Sequence, residues 1–261
     1  MPIAEEPVLV ERDGELATVI LNRPAKLNAI NREMARRLAD EMNVLAADVS
    51  VKCVLVRGSG KAFCPGADIG EFGAQRASRE EAEAFATYFH GALDAVVQCP
   101  HPIVAIIRGA CVGGGLQLAA LCDLRIASES ARFGIPVNRI GLTVDYSELA
   151  PIYRLIGEGP LLEILLEGRV FSAAEARGKG LVSRVVPDDR LDQEAMLTAR
   201  RIADGAPLVN RWHKKFVRRL SDPRPISNEE MRESFLCFDT KDYLTGYQAF
   251  LSKTKPVWEG R

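Results

Sequence analysis

Apolar and polar positions along the 261 residues change period several times, and each change marks an element. Val8 to Val10 and Leu16 to Leu21 are apolar runs on either side of Glu11-Arg12-Asp13-Gly14-Glu15. Asp-Gly between two such runs predicts a hairpin. Arg23-Pro24 ends the second strand. Asn31 then offers an N-cap to a helix whose apolar positions, Met34, Leu38, Met42 and Leu45, recur at helical spacing. Val51 to Val56 reads as a mostly buried strand that runs into the polar, glycine-containing loop Arg57 to Asp68. Ser78 and Glu81 stand where a capping box needs them, and Phe85, Phe89 and Leu93 line one face of a helix reaching Val97. Pro100 and Pro102 stop that helix. Ile103 to Ile107 is wholly apolar and rich in β-branched residues, the pattern of a buried strand.

Gly109 and Gly113-Gly114-Gly115 lead from this strand into the helix formers Leu116 to Leu121, and Leu124 to Ala127 returns to a strand pattern. A loop is expected over Ser128 to Ile140. Helical stretches follow, from Tyr146 to Ile156, Glu158 to Glu167 and Ser172 to Arg177, with a short strand at Leu181 to Val186. From Leu191 the pattern is helical to near the end, broken at Pro207 and at Ser221 to Pro225. Strands alternating with helices and crossover connections indicate an α/β architecture.

A strand passing through consecutive glycines into a helix has a direct chemical use. A ligand can approach backbone that lacks Cβ atoms, and the first N–H groups of the helix point outward at the positive end of its dipole. Such a place suits phosphate, carboxylate or a developing oxyanion. The competing reading is that the glycines only allow close helix–strand packing. No G-x-G-x-x-G occurs there. The Gly58-Ser59-Gly60-Lys61 stretch fails as a P-loop, because Leu55 stands where the first glycine belongs and Ala62 where Ser or Thr is required.

Composition narrows the classes. An apolar fraction of 47% with no break in composition fits one large domain, or a core with a small appendage. A formal charge of −1 gives no electrostatic case for nucleic acid. The six cysteines show no C-x-x-C spacing and sit mostly in apolar runs, so they read as small buried hydrophobes and not as a disulfide or metal framework. The N-terminus lacks the basic and apolar regions of a signal peptide, and no run of about 18 apolar residues occurs. A soluble, cytoplasmic protein without a membrane partner is expected.

Five ordered segments then point to a family: L-N-R-P-A-K-L-N-A-I (Leu21 to Ile30), G-S-G-K-A-F-C-P-G-A-D-I (Gly58 to Ile69), G-G-G-L-Q-L-A-A-L-C-D-L-R (Gly113 to Arg125), A-R-F-G-I-P (Ala131 to Pro136) and A-R-G-K-G-L-V-S-R-V-V (Ala176 to Val186). On these the chain resembles the crotonase (enoyl-CoA hydratase/isomerase) superfamily over nearly its whole length. The resemblance implies a crotonase-like spiral of ββα units over residues 1–200. A helical C-terminal segment over 201–261 would serve assembly into a homotrimer or a hexameric dimer of trimers. It implies an acyl-CoA thioester substrate, as in fatty acid metabolism, with no cofactor beyond the coenzyme A of the substrate and no metal. The backbone N–H groups of Ala67 and Gly114 would form an oxyanion hole for the thioester enolate. Lys26, Leu27 and the main chain of Ala67, Asp68, Ile69 and Gly70 would line the path of the CoA adenine and pantetheine.

The chain departs from the hydratases of the family at two places. Their two glutamates fall here on Gln117 and Val137, neither of which can shuttle protons near neutral pH. The resemblance leaves Asp145, in G-L-T-V-D, at a position where isomerases and a dehalogenase carry a working acid. With Glu148 three residues on, Asp145 also reads as an N-cap with a capping-box partner. Glu148 is the second acid candidate, one helical turn further. His90 occupies the distance before the glycine triplet at which the dehalogenase has a functional histidine, though a hydrogen-bonded packing histidine fits the same pattern. Residues around Phe72 to Phe89 are expected to help line the acyl pocket. The basic run Arg211 to Arg219 reads as a solvated helix face, Asp123 as structural and Cys64 as filler. The reading that follows is an enoyl-CoA isomerase-type proton transfer by Asp145. The alternatives are a non-catalytic acyl-CoA binding protein and hydratase, dehalogenase or decarboxylase chemistry on the same fold.

Overall fold

The computed structural model describes residues 6–71 and 78–261. The strands are β1 (Val8–Asp13), β2 (Leu16–Leu21), β3 (Cys53–Gly58), β4 (Ile103–Ile107), β5 (Ala110–Val112), β6 (Leu124–Ser128), β7 (Arg132–Gly134), β8 (Phe171–Ser172) and β9 (Arg184–Val186). The principal helices, in chain order, are α1 (Arg32–Ala47), α2 (Arg79–Gln98), α3 (Gly114–Leu121), α4 (Tyr146–Ile156), α5 (Glu158–Glu167), α6 (Ala173–Gly178), α7 (Leu191–Ala203), α8 (Pro207–Arg219), α9 (Asn228–Glu233) and α10 (Lys241–Ser252).

β1 and β2 form the expected hairpin, with Asp13 opposite Leu16. The remaining strands of the main sheet join in parallel, in the order β1-β2-β3-β4-β6-β9. Helices α1 and α2 cover one face through Met34, Leu38, Met42 and Leu45 and through Phe85, Phe89 and Leu93, all buried. Leu191, Ala195 and Ala199 of α7 cover Leu55, Val104 and Ile126 on the other. Burial on both faces is why β4 is apolar at every position instead of alternating. The side chains of Asn31 and Ser78 cap α1 and α2 as the sequence predicts.

A second sheet, β5-β7-β8, was not legible in the sequence. Its strands are two or three residues long, too short to show a period, and they fall in stretches that read as turn, loop or helix start. They complete the spiral. β4 lies in the large sheet, β5 in the small one, and α3 follows; β6 and β7 repeat the same split. The strand expected at Leu181 to Val186 is confined to β9.

The basic run on α8 corrects its sequence reading. Lys214 Nζ donates to Asp123 Oδ2 at 2.8 Å and to the His101 carbonyl at 2.5 Å, and its side chain is only 7% exposed. Arg218 donates to the carbonyls of Val97 and Leu121 and to Asp123 Oδ1, and Arg211 to those of Val49 and Val51. Val97 and Leu121 lie in the last turns of α2 and α3, whose unpaired carbonyls attract cations. Half of this face therefore fastens α8 to the core. Asp123, structural as expected, also accepts from the Ile103 N–H at 2.7 Å. All six cysteines are free, five of them buried, and burial pushes the Cys64 thiol up to about 12. No helix among the described residues is long and apolar enough to cross a membrane.

Candidate active site

The loop after β3 is fixed from both sides. Asn28, fully buried, donates through Nδ2 to the carbonyls of Ser59 (2.9 Å) and Ala62 (2.8 Å), while its Oδ1 accepts from the Arg23 N–H at 3.0 Å. Arg23 in turn pairs with Asp68 at 2.9 Å. The Ile30 N–H donates to the Gly66 carbonyl (2.8 Å) and the Asp68 N–H to the Ile30 carbonyl (2.9 Å), so Ala67 is held in a short parallel bridge. On the other side the Cys64 N–H donates to the Ala110 carbonyl at 2.8 Å, and the Val112 N–H to the Cys64 carbonyl at 3.0 Å. The L-N-A and G-A-D segments thus meet as one backbone lattice.

The glycine triplet is seated against this lattice, and each glycine does a different thing. Gly113 has φ +51°, a left-handed conformation that side chains strain to adopt, and its carbonyl receives the N–H groups of Leu116 and Gln117. Gly115 packs so closely that a Cβ would lie 2.1 Å from the Cys64 carbonyl oxygen. Gly114 faces the loop: a Cβ on Gly66 would lie 3.0 Å from the Gly114 nitrogen. Among the described residues neither the Ala67 nor the Gly114 N–H has a hydrogen-bond acceptor. Both residues line one cavity, together with Phe89, Gln117, Val137 and Glu148.

The three titratable candidates come together, His90 meeting Asp145 from 55 positions earlier in the chain and Glu148 lying one helical turn on. Asp145 caps α4, its Oδ1 accepting from the N–H groups of Ser147 (2.8 Å) and Glu148 (3.0 Å) and from the Ser147 hydroxyl (2.6 Å). Its Oδ2 accepts from His90 Nε2 at 2.6 Å. Partial burial pushes the Asp145 carboxyl up. Hydrogen bonds from Ser147, Glu148 and His90 outweigh that and leave it below its ordinary value. Glu148 Oε1 lies 3.6 Å from His90 Nε2, and Oε2 accepts from Gln117 Nε2 at 2.9 Å. The helix cap foreseen for Asp145 is formed. Asp145 is not among the cavity-lining residues, whereas Glu148 is, and their side chains are 41% and 16% exposed.

Of the remaining positions singled out in the sequence, Ile69 is among the cavity-lining residues, and Lys26, Leu27, Asp68 and Gly70 are not. Lys26 ends a 3-10 turn, exposed, and Leu27 follows with φ +53°, its N–H donating to the Pro24 carbonyl. Ile69 is exposed at the cavity edge, and the Gly70 N–H donates to Asp68 Oδ1 at 3.2 Å. Asp68 is therefore occupied by Arg23 and Gly70. Of the pocket wall expected around Phe72 to Phe89, residues 72–77 lie outside the described residues. The Gln117–Glu148 contact had no signal in the sequence. It joins two helices 31 positions apart, and only the packing of α4 beside α3 creates it.

Comparison with known proteins agrees with this architecture. Residues 11–261 match the family model described as enoyl-CoA hydratase/isomerase. A Mycobacterium tuberculosis protein named "Probable enoyl-CoA hydratase echA8" is 34% identical over 98% of this chain and 99% of its own. The crotonyl-CoA hydratase of Syntrophomonas wolfei is 32% identical over 97% and 98%. Among solved structures, an enoyl-CoA hydratase/carnithine racemase from Magnetospirillum magneticum superposes with a TM-score of 0.97 at 49% identity, covering 99% of this chain and 97% of the other. With its split ββα units, its glycine-led helix and a match along almost its whole length, the chain belongs to the enoyl-CoA hydratase/isomerase family of enzymes, within the crotonase superfamily.

Proposed function

We propose that the protein binds an acyl-CoA thioester, stabilises its enolate on the N–H groups of Ala67 and Gly114, and moves a proton with an acid of the Asp145–Glu148 cluster. The observation that carries this reading is the pair of acceptor-free N–H groups opening into one cavity with a carboxylate. Two backbone donors stabilise charge that develops on the thioester oxygen and need no reorganisation to do so. Double-bond isomerisation, from a 3-enoyl-CoA to its 2-enoyl isomer, suits the site because one carboxylate can remove a proton from the α-carbon and return it at the γ-carbon. Val137 and Gln117 supply no second acid in the cavity wall. The main chain of Ala67 to Gly70, with Lys26 and Leu27, is the proposed CoA path. The only cofactor chemistry is the substrate's own coenzyme A. Exposed Phe235 and Phe238 between α9 and α10, with Tyr247 and Phe250 on α10, suit self-association as a homotrimer or a dimer of trimers.

Hydration is the second reading, favoured by the names of the relatives above. The deciding experiment supplies 3-enoyl- and 2-enoyl-CoA thioesters in deuterium oxide and follows products by mass spectrometry. Isomerisation with α-deuteration supports the first reading and water addition the second. Binding without exchange would leave a carrier of acyl-CoA and overturn both. Gly114→Pro, which removes the N–H at a helix position that tolerates proline, should lower turnover by about 10²–10³. Gly114→Ala, which presses only on the Phe89 ring at 3.0 Å, serves as the steric control.

A further inference from the structure

We infer that Glu148, held by Gln117, is the catalytic acid and base, and that Asp145 is held away from the substrate as a cap. The inference rests on the acyl-CoA reading above and gives it a residue.

The two carboxylates differ in what their oxygens already do. Asp145 Oδ1 receives three donors within the first turn of α4, and Oδ2 receives the His90 N–H at 2.6 Å. Because an ionised carboxylate can only accept, His90 donates through Nε2. Turning Asp145 toward a substrate would break the cap and the His90 bond together. The N-cap of α4 is Asp145 and not Glu148. Glu148 receives the Gln117 amide on Oε2, lies 3.6 Å from His90 through Oε1, and forms part of the cavity wall that also contains Ala67 and Gly114.

Gln117 gains a physical reason for being an amide. Its Nε2 donates to Glu148 at 2.9 Å, which a carboxylate at position 117 could not do while ionised. Two carboxylates at that separation would have to share a proton. The acid absent from α3 in the sequence is thus supplied in space by α4, with the amide as its support.

The step balances without any co-reactant. Ionised Glu148 takes the α-proton, and the C–H electron pair flows into an enolate whose oxygen accepts from the Ala67 and Gly114 N–H groups. For a 3-enoyl thioester the enolate extends over the double bond, and protonated Glu148 returns the proton to the γ-carbon. A 2-enoyl thioester and an ionised Glu148 result.

The test uses the full chain, with butyryl-CoA for α-proton exchange in deuterium oxide and for calorimetric binding. Glu148→Gln should lower exchange by about 10³ while binding stays within about threefold, and Glu148→Asp should recover at least tenfold over it. Asp145→Asn keeps a good N-cap residue and should hold exchange within about tenfold of the wild type. Loss of exchange in Asp145→Asn with activity kept in Glu148→Gln would overturn the assignment and leave the acyl-CoA reading standing. A wild-type protein that neither binds nor exchanges would overturn both.

Discussion

Exchanging one hydrogen for a methyl group at Gly115 tests whether the glycine-led helix and the Cys64–Asp68 loop are one rigid unit. A Cβ there would lie 2.1 Å from the Cys64 carbonyl oxygen, 2.8 Å from its carbonyl carbon and 2.9 Å from its Cβ. None of these is the free end of a flexible side chain, so helix and loop must separate by roughly 1 Å to restore ordinary contact. The Cys64 carbonyl is also the acceptor for Val112, and Cys64 lies three residues before Ala67. The cost is that of overpacking, about 2 kcal/mol or more, equivalent to a fall in Tm of about 4–8 °C for a chain of this size. Displacing Ala67 from Gly114 by that amount should lower α-proton exchange by about 10². Gly91→Ala is the matched control. Gly91 sits in α2 with nothing within 4 Å of its would-be Cβ, so the same change there should stabilise by about 0.5–1 kcal/mol. Differential scanning calorimetry and exchange in deuterium oxide read both variants. A Gly115→Ala protein with wild-type Tm and exchange would refute the rigid-unit argument.

Two further predictions concern stability. Asp123→Asn keeps an acceptor for Ile103 but removes the counter-charge of Lys214. Urea unfolding should show a loss of about 3–5 kcal/mol, of which Lys214→Met in the same chain recovers a large part; a loss below about 1 kcal/mol would contradict the clamp. His101 is fully buried, and burial lowers its pKa from 6.5 to about 4 while Nε2 donates to the Leu45 carbonyl at 2.9 Å. The folded state therefore binds fewer protons than the unfolded one between these values. Its contribution is complete above pH 6.5 and is lost as pH falls through about 4, in all about 3 kcal/mol. His101→Gln should flatten the stability–pH curve over that window, and an unchanged slope would remove His101 as its source.

Chain-local physics carried far in this protein. The N-caps at Asn31 and Ser78, the hairpin around Gly14 and the buried run of β4 follow from side chains that act within a turn or two of themselves, so a linear pattern shows them. The ordered L-N-A, G-A-D and glycine segments pointed to the family and, through it, to Ala67 and Gly114 as the proposed oxyanion donors. The same reasoning left Asp145 with two roles, and it took Arg211 to Arg219 for a solvated face, because charge alone does not reveal which carbonyls a helix will meet. Packing decided these matters. It brought the C-terminal turns of α2 and α3 against Arg218 and the His101 carbonyl against Lys214, and it set α4 beside α3 so that Gln117 grips Glu148. It also turned His90 onto Asp145 from 55 residues away. Which carboxylate is spent on backbone and which lines the cavity depends on distances between helices, and those exist only once the chain has folded.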